Sequence, residues 1–342
     1  MSVPPVLDSN ESRQPLPPPS SELMRSQYSR GVRLVARGIW KIVPYIPALV
    51  PGAIVLGIVL TLISASGFHN FGLGFFGSAW VPDSDQYGVL IFVVGSFVTA
   101  VPALFIAMAI GLGIAIASTT YLPQFVSRLL DPFVDLLAGI PSIVYGLWGF
   151  WVVSTFFGQS LNPWLADHIG FVPGFGRITS PVLSPNVQGI GLPISIFILT
   201  LMCLPITTLL MRDALRSVPR DLWESGLALG ATRWEVVRRV AIPYSNRGIL
   251  SAGLLGFGRA FGETVAVAMV IGSVLKYPGN VYDTTSTMAA FMIQQLDASF
   301  QYPVILNALA EMALLLLAIS LVVNILGRRL VTRTFFEEVP GL

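Results

Sequence analysis

Six long apolar stretches limit this chain to one kind of architecture. Each is about as long as the ~20 apolar residues that a helix needs to cross the ~30 Å hydrocarbon core of a bilayer. Only 11% of the 342 residues are charged, whereas soluble domains carry about 25%, and the charges lie between the apolar stretches. The sequence therefore predicts an all-α polytopic bundle of about six transmembrane spans. The predicted spans are 42–66, 89–118, 134–157, 190–211, 249–275 and 304–326.

The composition also argues against several functions. The net charge is only +2, and no basic stripe is interleaved with aromatic residues, so no nucleic-acid partner is expected. His69 and His168 lack the companions that a metal site needs. No G-x4-G-K-S/T phosphate loop occurs, so any ATP hydrolysis must take place in another chain. We therefore expect a protein that is not an enzyme and has no cofactor, metal or catalytic residue.

Residues 1–24 differ from the rest of the chain. They are rich in Pro and Ser and nearly devoid of large apolar residues, a composition typical of a disordered tail. The remaining residues, 25–342, are predicted to form one transmembrane domain whose longest loop is 212–247.

The basic residues predict the orientation in the membrane, because cytoplasmic loops are enriched in Lys and Arg. In a six-span arrangement, the basic residues before the first span, in loop 212–247 and after the last span all fall on one side. The opposite side holds only Arg177 and Lys276. Both termini are therefore predicted to be cytoplasmic, in a multi-pass protein of the plasma membrane.

Loop 212–247 contains helix signals that an ordinary loop lacks. Pro219 is predicted to end the helix that continues from the fourth span. Asp221 stands three residues before Glu224, the spacing at which an N-cap side chain and an N3 carboxylate bond each other's backbone N–H groups. Gly230 is placed to end this first helix in a left-handed cap.

A second short helix is predicted directly afterwards. Thr232 and Glu235 repeat the capping spacing, and Pro243 is expected to stop or kink the helix. Two short capped helices joined at a glycine would form a rigid elbow, which is suited to transmitting position or force to a partner.

The elbow resembles the motif E-A-A-x3-G-x9-I-x-L-P of ABC importer permeases. Here Glu224-Ser225-Gly226 is followed after three residues by Gly230, and after nine more by Val240-Ala241-Ile242-Pro243. The departures are Ser-Gly for Ala-Ala, Val for Ile and Ile for Leu. Gly226 is expected to weaken the first helix by up to ~1 kcal/mol relative to Ala.

The resemblance implies a type I ABC importer permease fold in which this elbow, residues 221–243, couples the chain to a separate ATPase. Trp223 is a possible docking anchor, because aromatic residues are enriched at interface hot spots. The residues implied in coupling and ATPase docking are Asp221, Trp223, Glu224, Gly226, Gly230 and Pro243.

Three further stretches resemble phosphate permeases of the PstC family. They are LLAGIPSIVYGLWGF at 136–150, GRAFGETVAVAMVIG at 258–272, and the stretch 75–100. The resemblance implies half of a translocation pathway for inorganic phosphate in a bacterial inner membrane. It also implies four partners: a sister permease of the PstA kind, two ATP-binding subunits of the PstB kind, and an external phosphate-binding protein of the PstS kind.

Arg259 and Glu263 are candidate pathway residues. They stand four apart in the fifth predicted span and would share one helix face. Charges within a membrane span usually face a bundle interior or a water-filled path, and the Arg fork suits phosphate oxygens. One hypothesis is that Arg259 contacts the anion and Glu263 pairs with it in the empty pathway. The other is a structural salt bridge, in which Glu311 or Asp135 could also take part.

Other interpretations remain open at this point. An ABC importer could carry another oxyanion or solute. An ion-coupled secondary transporter would suit paired charges but would leave the elbow unexplained, and a membrane-embedded enzyme would need catalytic side chains. Aromatic residues near span ends, Trp80 and Tyr87 among them, are predicted to be anchors at the membrane interface.

Overall fold

A computed structural model describes residues 46–67, 74–169 and 189–333, so the Pro-rich tail and His69 lie outside the described residues. The chain divides into two compact units, 1–60 and 61–342. The helices and strands are α1 Ile46–Ser66, β1 Trp80–Val81, β2 Gln86–Tyr87, α2 Leu90–Ile116, α3 Gln124–Gly139, α4 Ser142–Trp148, α5 Ser154–Phe156, α6 Asn162–Ile169, α7 Leu192–Arg216, α8 Arg220–Ala228, α9 Arg233–Val236, α10 Ile242–Phe261, α11 Val265–Val270, α12 Met288–Gln294, α13 Leu296–Gln301 and α14 Pro303–Arg333.

Several of these helices are joined by π-helical turns, in which the backbone bonds reach five residues back. Three of these turns connect two helices without a break, whereas the turn after α2 ends at the extended residue Leu122. The turns are Ala117–Tyr121 after α2, Gly149–Val153 after α4, Phe157–Leu161 after α5 and Val237–Ala241 between α9 and α10.

Within the described residues, four helices are long and apolar enough to cross a membrane. A fifth candidate is a bent pair, Pro132–Gly139 with Ser142–His168, which meets at 87°. The third predicted span, 134–157, is therefore interrupted, at the glycine and proline that its sequence contains. Ile140 is extended and Pro141 is the N-cap of α4, because a residue before proline is disfavoured in the helical region. The four long spans are Leu49–Ser66, Leu90–Tyr121, Leu192–Arg216 and Pro303–Gly327.

The fifth predicted span, 249–275, is also divided. Helix α10 ends at Phe261, with Gly262 as its C-cap, and the short helix α11 begins only at Val265. Apolar residues lie on both sides of the polar break at 262–264, which is why hydropathy alone predicted one helix.

The core of the second unit is built from α2, α7 and α10. Small side chains on α2, namely Ala100, Ala103 and Ala107, are fully buried against Leu199 and Cys203 of α7 and Phe257 and Ala260 of α10. Small residues let membrane helices approach closely, so that packing and interhelical hydrogen bonds can hold them together.

Side-chain hydrogen bonds reinforce this close approach. The hydroxyl of Thr200 donates to the carbonyl of Ala103 at 3.3 Å, which links α7 to α2. The hydroxyl of Ser245 donates to the carbonyl of Ala214 at 2.8 Å, which links α10 to α7. A Cβ on Gly248 would collide with the side chain of Ala214, so α7 and α10 are in direct backbone-level contact there.

An aromatic cluster attaches the β1–β2 hairpin to the helices. Trp80 packs edge-on against Phe291 of α12 at a centroid distance of 4.9 Å, and Phe92 of α2 stacks on Phe291 at 4.1 Å. Trp80 and Tyr87 are only 8% and 4% exposed. The prediction that they anchor the chain at the membrane interface is therefore wrong, because they fill an internal cluster.

The segment 284–287 lies buried against α2, although all four of its residues are Ser or Thr. Gly95 makes this possible, because a Cβ there would collide with the carbonyl oxygen of Ser286. The neighbouring Ser96 hydroxyl accepts a hydrogen bond from the backbone N–H of Met288 at 3.0 Å. A glycine followed by a serine on α2 thus holds an irregular polar segment in the bundle.

This contact yields a prediction. Gly95→Ala should destabilise the protein, because the added Cβ meets a backbone carbonyl that cannot move aside. Gly113→Ala in the same helix is the matched control: it meets open space and should be neutral or gain up to ~1 kcal/mol of helix propensity. Thermal unfolding in detergent would measure both. Equal stability of the two variants would contradict the close approach.

Candidate functional site

The elbow begins immediately after α7 ends at Arg216. Pro219 is the N-cap of α8, and no side chain caps this helix. The predicted capping box of Asp221 and Glu224 is therefore wrong. Proline has a fixed φ and no N–H to satisfy, so it suits a helix entrance, and α8 starts two residues earlier than the predicted box requires. Asp221 instead lies in the first turn, where a carboxylate interacts favourably with the helix dipole.

Gly230 ends α8 as predicted. It adopts φ +83°, its N–H donates to the carbonyl of Leu227 at 3.0 Å, and the N–H of Ala231 donates to the carbonyl of Gly226 at 3.3 Å. These two bonds are the Schellman motif. The reversal of the chain between the two elbow helices is thus fixed by backbone hydrogen bonds.

The second predicted capping box is confirmed. The backbone N–H of Thr232 donates to the Glu235 carboxylate at 2.8 Å, and the N–H of Glu235 donates to the Thr232 hydroxyl at 3.3 Å. The hydrogen bonds from the backbone and the hydroxyl of Thr232 hold the pKa of Glu235 below its usual value. The carboxylate is therefore charged, and the box intact, at neutral pH.

The helical chain does not stop at Pro243. Four residues of α9 pass into the π-helical turn Val237–Ala241, and α10 follows with Pro243 in its first turn. Proline is tolerated there because its missing N–H falls where the helical bonding pattern changes. The elbow is therefore joined to α10 by continuous helix.

Gly226 brings the two arms of the elbow together. A Cβ at this position would lie 2.9 Å from a methyl group of Val236, which is itself buried. The absence of a side chain at Gly226 thus allows a close approach between α8 and α9. This effect is separate from the lower helix propensity expected from the sequence.

The two tryptophans of the elbow differ in their surroundings. Trp223 is half-buried and packs on the cluster formed by α2, α7 and α10, so it attaches the elbow to its own bundle. Trp234 is 52% exposed and Leu229 is 89% exposed. Sequence reasoning missed Trp234 and Leu229, whose exposure depends on the chain reversal at Gly230.

The exposed side of the elbow also has a cleft of about 430 Å³. Its walls include Leu229 and Val236 together with the charged Glu235 and Arg239, so it combines apolar and charged surface. Glu224 is exposed on the outer side of α8. The exposed surface of the elbow therefore includes Leu229, Trp234, Glu224 and this cleft.

Arg259 and Glu263 do not share a helix face. Arg259 lies in the last turn of α10, whereas Glu263 lies in the break beyond its end. The Glu263 carboxylate accepts a hydrogen bond from the backbone N–H of Ala266 at 3.4 Å and so caps α11. Arg259 makes no ion pair with any carboxylate in the described part of the chain. The predicted pairing is therefore wrong, because Gly262 ends the helix between the two residues.

The surroundings of Arg259 are mostly apolar. Its side chain is half-buried, and its Nε atom is buried with no hydrogen-bond partner among the described residues. Glu311 of α14 is fully buried, and Asp135 lies within α3.

Known proteins share this architecture. A family described as "Binding-protein-dependent transport system inner membrane component" matches residues 109–336, a range that includes the elbow and Arg259. The bundle and its elbow thus define a multi-pass transport subunit of an inner membrane. The chain belongs to this family, and within it to the PstC permeases, as the sequence predicted.

Three relatives illustrate the membership. The phosphate transport system permease protein PstC of Haemophilus influenzae is 35% identical over 84% of this chain and 90% of that protein. PstC 1 of Mycobacterium tuberculosis is 37% identical over 76% of each chain. A probable ABC transporter permease of Bacillus subtilis, YqgH, is 34% identical over 74% of this chain and 75% of that protein.

A solved structure shows the same fold. A bacterial ABC transporter involved in the import of the acidic polysaccharide alginate contains a chain that matches with a TM-score of 0.52 at 17% identity. The match covers 86% of this chain and 98% of that chain. It confirms the predicted fold of an ABC importer permease.

The Schellman motif gives a prediction for the elbow. Gly230→Ala should destabilise the end of α8 by about 1–2 kcal/mol, the cost of a left-handed conformation for a residue with a Cβ; no neighbouring atom is in the way. Gly230→Asn should lose less, because Asn tolerates this conformation. Hydrogen exchange of the amides of 226–231 would report the loss. Equal exchange in the Ala variant and the unmodified chain would contradict it.

Proposed function

We propose that this chain is the membrane permease subunit of an ATP-driven importer and forms half of a translocation pathway for inorganic phosphate. The observation that carries the proposal is the elbow: two capped helices, fixed by a Schellman motif, continue directly into the helix that carries Arg259. This arginine pairs with no carboxylate among the described residues. The PstC relatives support phosphate as the cargo.

The elbow is the proposed docking site for the ATPase. Leu229 and Trp234 offer exposed apolar surface beside Glu224, and interface hot spots favour such aromatic anchors. The other elbow residues predicted from the sequence give the elbow its shape in this proposal. They are Asp221, Trp223, Gly226, Gly230 and Pro243. Trp223 is thus reassigned from docking anchor to an attachment of the elbow to the bundle.

The proposed complex contains a PstA-like sister permease, two PstB-like ATP-binding subunits and an external PstS-like phosphate-binding protein. One bundle with one elbow supplies half of a two-fold arrangement. The distribution of basic residues supports cytoplasmic termini and a cytoplasmic elbow. In this proposal the elbow lies on the side of the membrane where ATP is available.

Arg259 is the proposed anion contact of the pathway. A guanidinium without a carboxylate partner can offer its fork of donors to phosphate oxygens. Glu263 acts in this proposal by capping α11 next to Arg259. A second cargo class, another oxyanion, would use the same contact.

Transport by the reconstituted complex tests the function. The chain with its four partner subunits in liposomes should take up labelled phosphate only with internal ATP and external binding protein. Glu224→Lys should abolish uptake while the complex stays assembled, because it reverses a charge on the docking surface. Asp213→Lys, an equal change on an exposed residue outside the elbow, should leave uptake unchanged.

Other outcomes of this experiment separate the alternatives. Uptake driven by an ion gradient without ATP would replace the importer with a secondary carrier. ATP-driven uptake of a different anion would keep the importer and reject phosphate as its cargo.

A further prediction concerns Arg259. Arg259→Gln should lower phosphate uptake about tenfold or more, the usual effect of losing a charge-assisted hydrogen bond, while the complex still assembles. Arg259→Lys keeps the charge without the fork and should retain part of the uptake. Co-purification of the subunits measures assembly. Loss of the complex in the Gln variant would show that Arg259 is structural.

A further inference from the structure

Ser273 has an unusual backbone conformation. It follows Gly272, and both residues are left-handed, with φ of +88° for Gly272 and +53° for Ser273. Asp85 is the other non-glycine residue with positive φ in the described part of the chain, and Asp adopts this region more readily than Ser. Strain of this kind persists only where neighbouring contacts hold it, and it is frequent at functional sites.

Gln294 supplies a side-chain contact to Ser273, beside the backbone bridge between Gly272 and Thr285. It is the last residue of α12, and its Nε2 donates to the Ser273 hydroxyl at 2.5 Å and to the carbonyl of Ala268 in α11 at 3.3 Å. The amide nitrogen of glutamine carries two hydrogens, so both are used. One side chain therefore joins three parts of the chain: α12, α11 and the segment 272–287.

The far end of the segment 272–287 is held differently. Its residues Thr284–Thr287 are buried against α2, in contact with Gly95, and the next residue, Met288, donates a backbone hydrogen bond to Ser96. The backbone N–H of Thr285 also donates to the carbonyl of Ile271 at 3.4 Å. Buried contacts fix that end, whereas the Gln294 side chain is exposed. The attachment at Gln294 is thus one that water or a moving neighbour can break.

The helix that Gln294 holds is adjacent to the proposed anion contact. Helix α11 has six residues, so it is about 9 Å long and too short to be stable by itself. Glu263 caps its first turn, and Gln294 bonds a carbonyl near its end. Buried side chains of α11 pack it into the bundle, and these two side-chain hydrogen bonds fix its two ends next to Arg259.

We propose that Gln294 is a positioning residue of the transport cycle, a latch whose hydrogen bonds to Ser273 and Ala268 hold α11 and segment 272–287 in one arrangement and break when the pathway opens. The inference rests on the proposed transport function. Without the latch, Ser273 relaxes from its left-handed conformation and the arrangement that Gln294 stabilises becomes less populated.

The test begins with Gln294→Ala in the assembled complex. It should raise ATP hydrolysis in the absence of binding protein about two- to tenfold, the range expected for losing one or two ordinary hydrogen bonds. It should lower the maximal rate of phosphate uptake and leave KM for the loaded binding protein unchanged. Gln295→Ala is the matched control, because the neighbouring side chain makes no hydrogen bond with a described residue.

A second substitution distinguishes a latch from a substrate contact. Ser273→Gly removes the backbone strain, because glycine adopts positive φ freely. Added to Gln294→Ala, it should restore most of the coupling between ATP hydrolysis and uptake. A higher KM without rescue by Ser273→Gly would show that Gln294 contacts the cargo and would overturn the latch.

Cross-linking tests whether the latch must open. Cys203 is the single cysteine of the chain, so Ser273→Cys and Gln294→Cys can be combined in a Cys203→Ser background. A short reversible bis-thiol reagent should stop uptake in the double variant and not in either single variant, and a reductant should restore it. Unchanged uptake in the cross-linked protein, or hydrolysis in Gln294→Ala equal to that of the unmodified complex, would overturn the proposal.

The two proposals fail separately. An unmodified complex that hydrolyses ATP but takes up no phosphate would reject the cargo. The latch would still be judged by the effect of Gln294→Ala on ATP hydrolysis and by its reversal with Ser273→Gly.

Discussion

The constraint on which this structure depends is that backbone polar groups within a bilayer must be bonded inside the protein. Unbroken helices meet it by themselves, as α1, α2, α7 and α14 do. The breaks need additional donors and acceptors, which come from a few side chains. Glu263 accepts a hydrogen bond from a backbone N–H at the start of α11, and Gln294 donates one to a carbonyl near its end. The hydroxyl of Ser96 accepts one from the backbone N–H of Met288. Each of these residues is polar at a place where apolar side chains would otherwise pack.

The same constraint explains the π-helical turns. A chain that must change direction without exposing its backbone can widen one turn instead of leaving the helix. The turn Val237–Ala241 does this between the elbow and α10, directly before Pro243. Pro243 then destabilises the helix little, because the backbone hydrogen bond that it cannot donate falls at the π-helical turn, where the bonding pattern already changes. The elbow consequently remains connected to the core by helix.

Local motifs were predictable where one short stretch determines the geometry. Thr232 with Glu235 and the glycine at 230 form the structures that their spacing indicates. The same spacing at Asp221 and Glu224 was misleading, because Pro219 determines the start of the helix first. The breaks at 139–141 and 262–264 lie between strongly apolar stretches, so a search for spans of sufficient length passed over them. The partners of Trp80 and Gln294 come from distant parts of the chain, which periodicity cannot show.

Helix α10 connects the two parts of the candidate site, the elbow and Arg259. The helix is twenty residues long, about 30 Å, with the elbow before its first residue and Arg259 in its last turn. It contacts α7 closely where Gly248 meets Ala214, because neither residue has a long side chain that would separate the two helices. Gly262 then ends it, and α11 packs through Ala266 and Val270 against residues of α4 and α7. Arg259 and Glu263 are thus carried by different elements, and a displacement of the elbow is expected to move the first relative to the second.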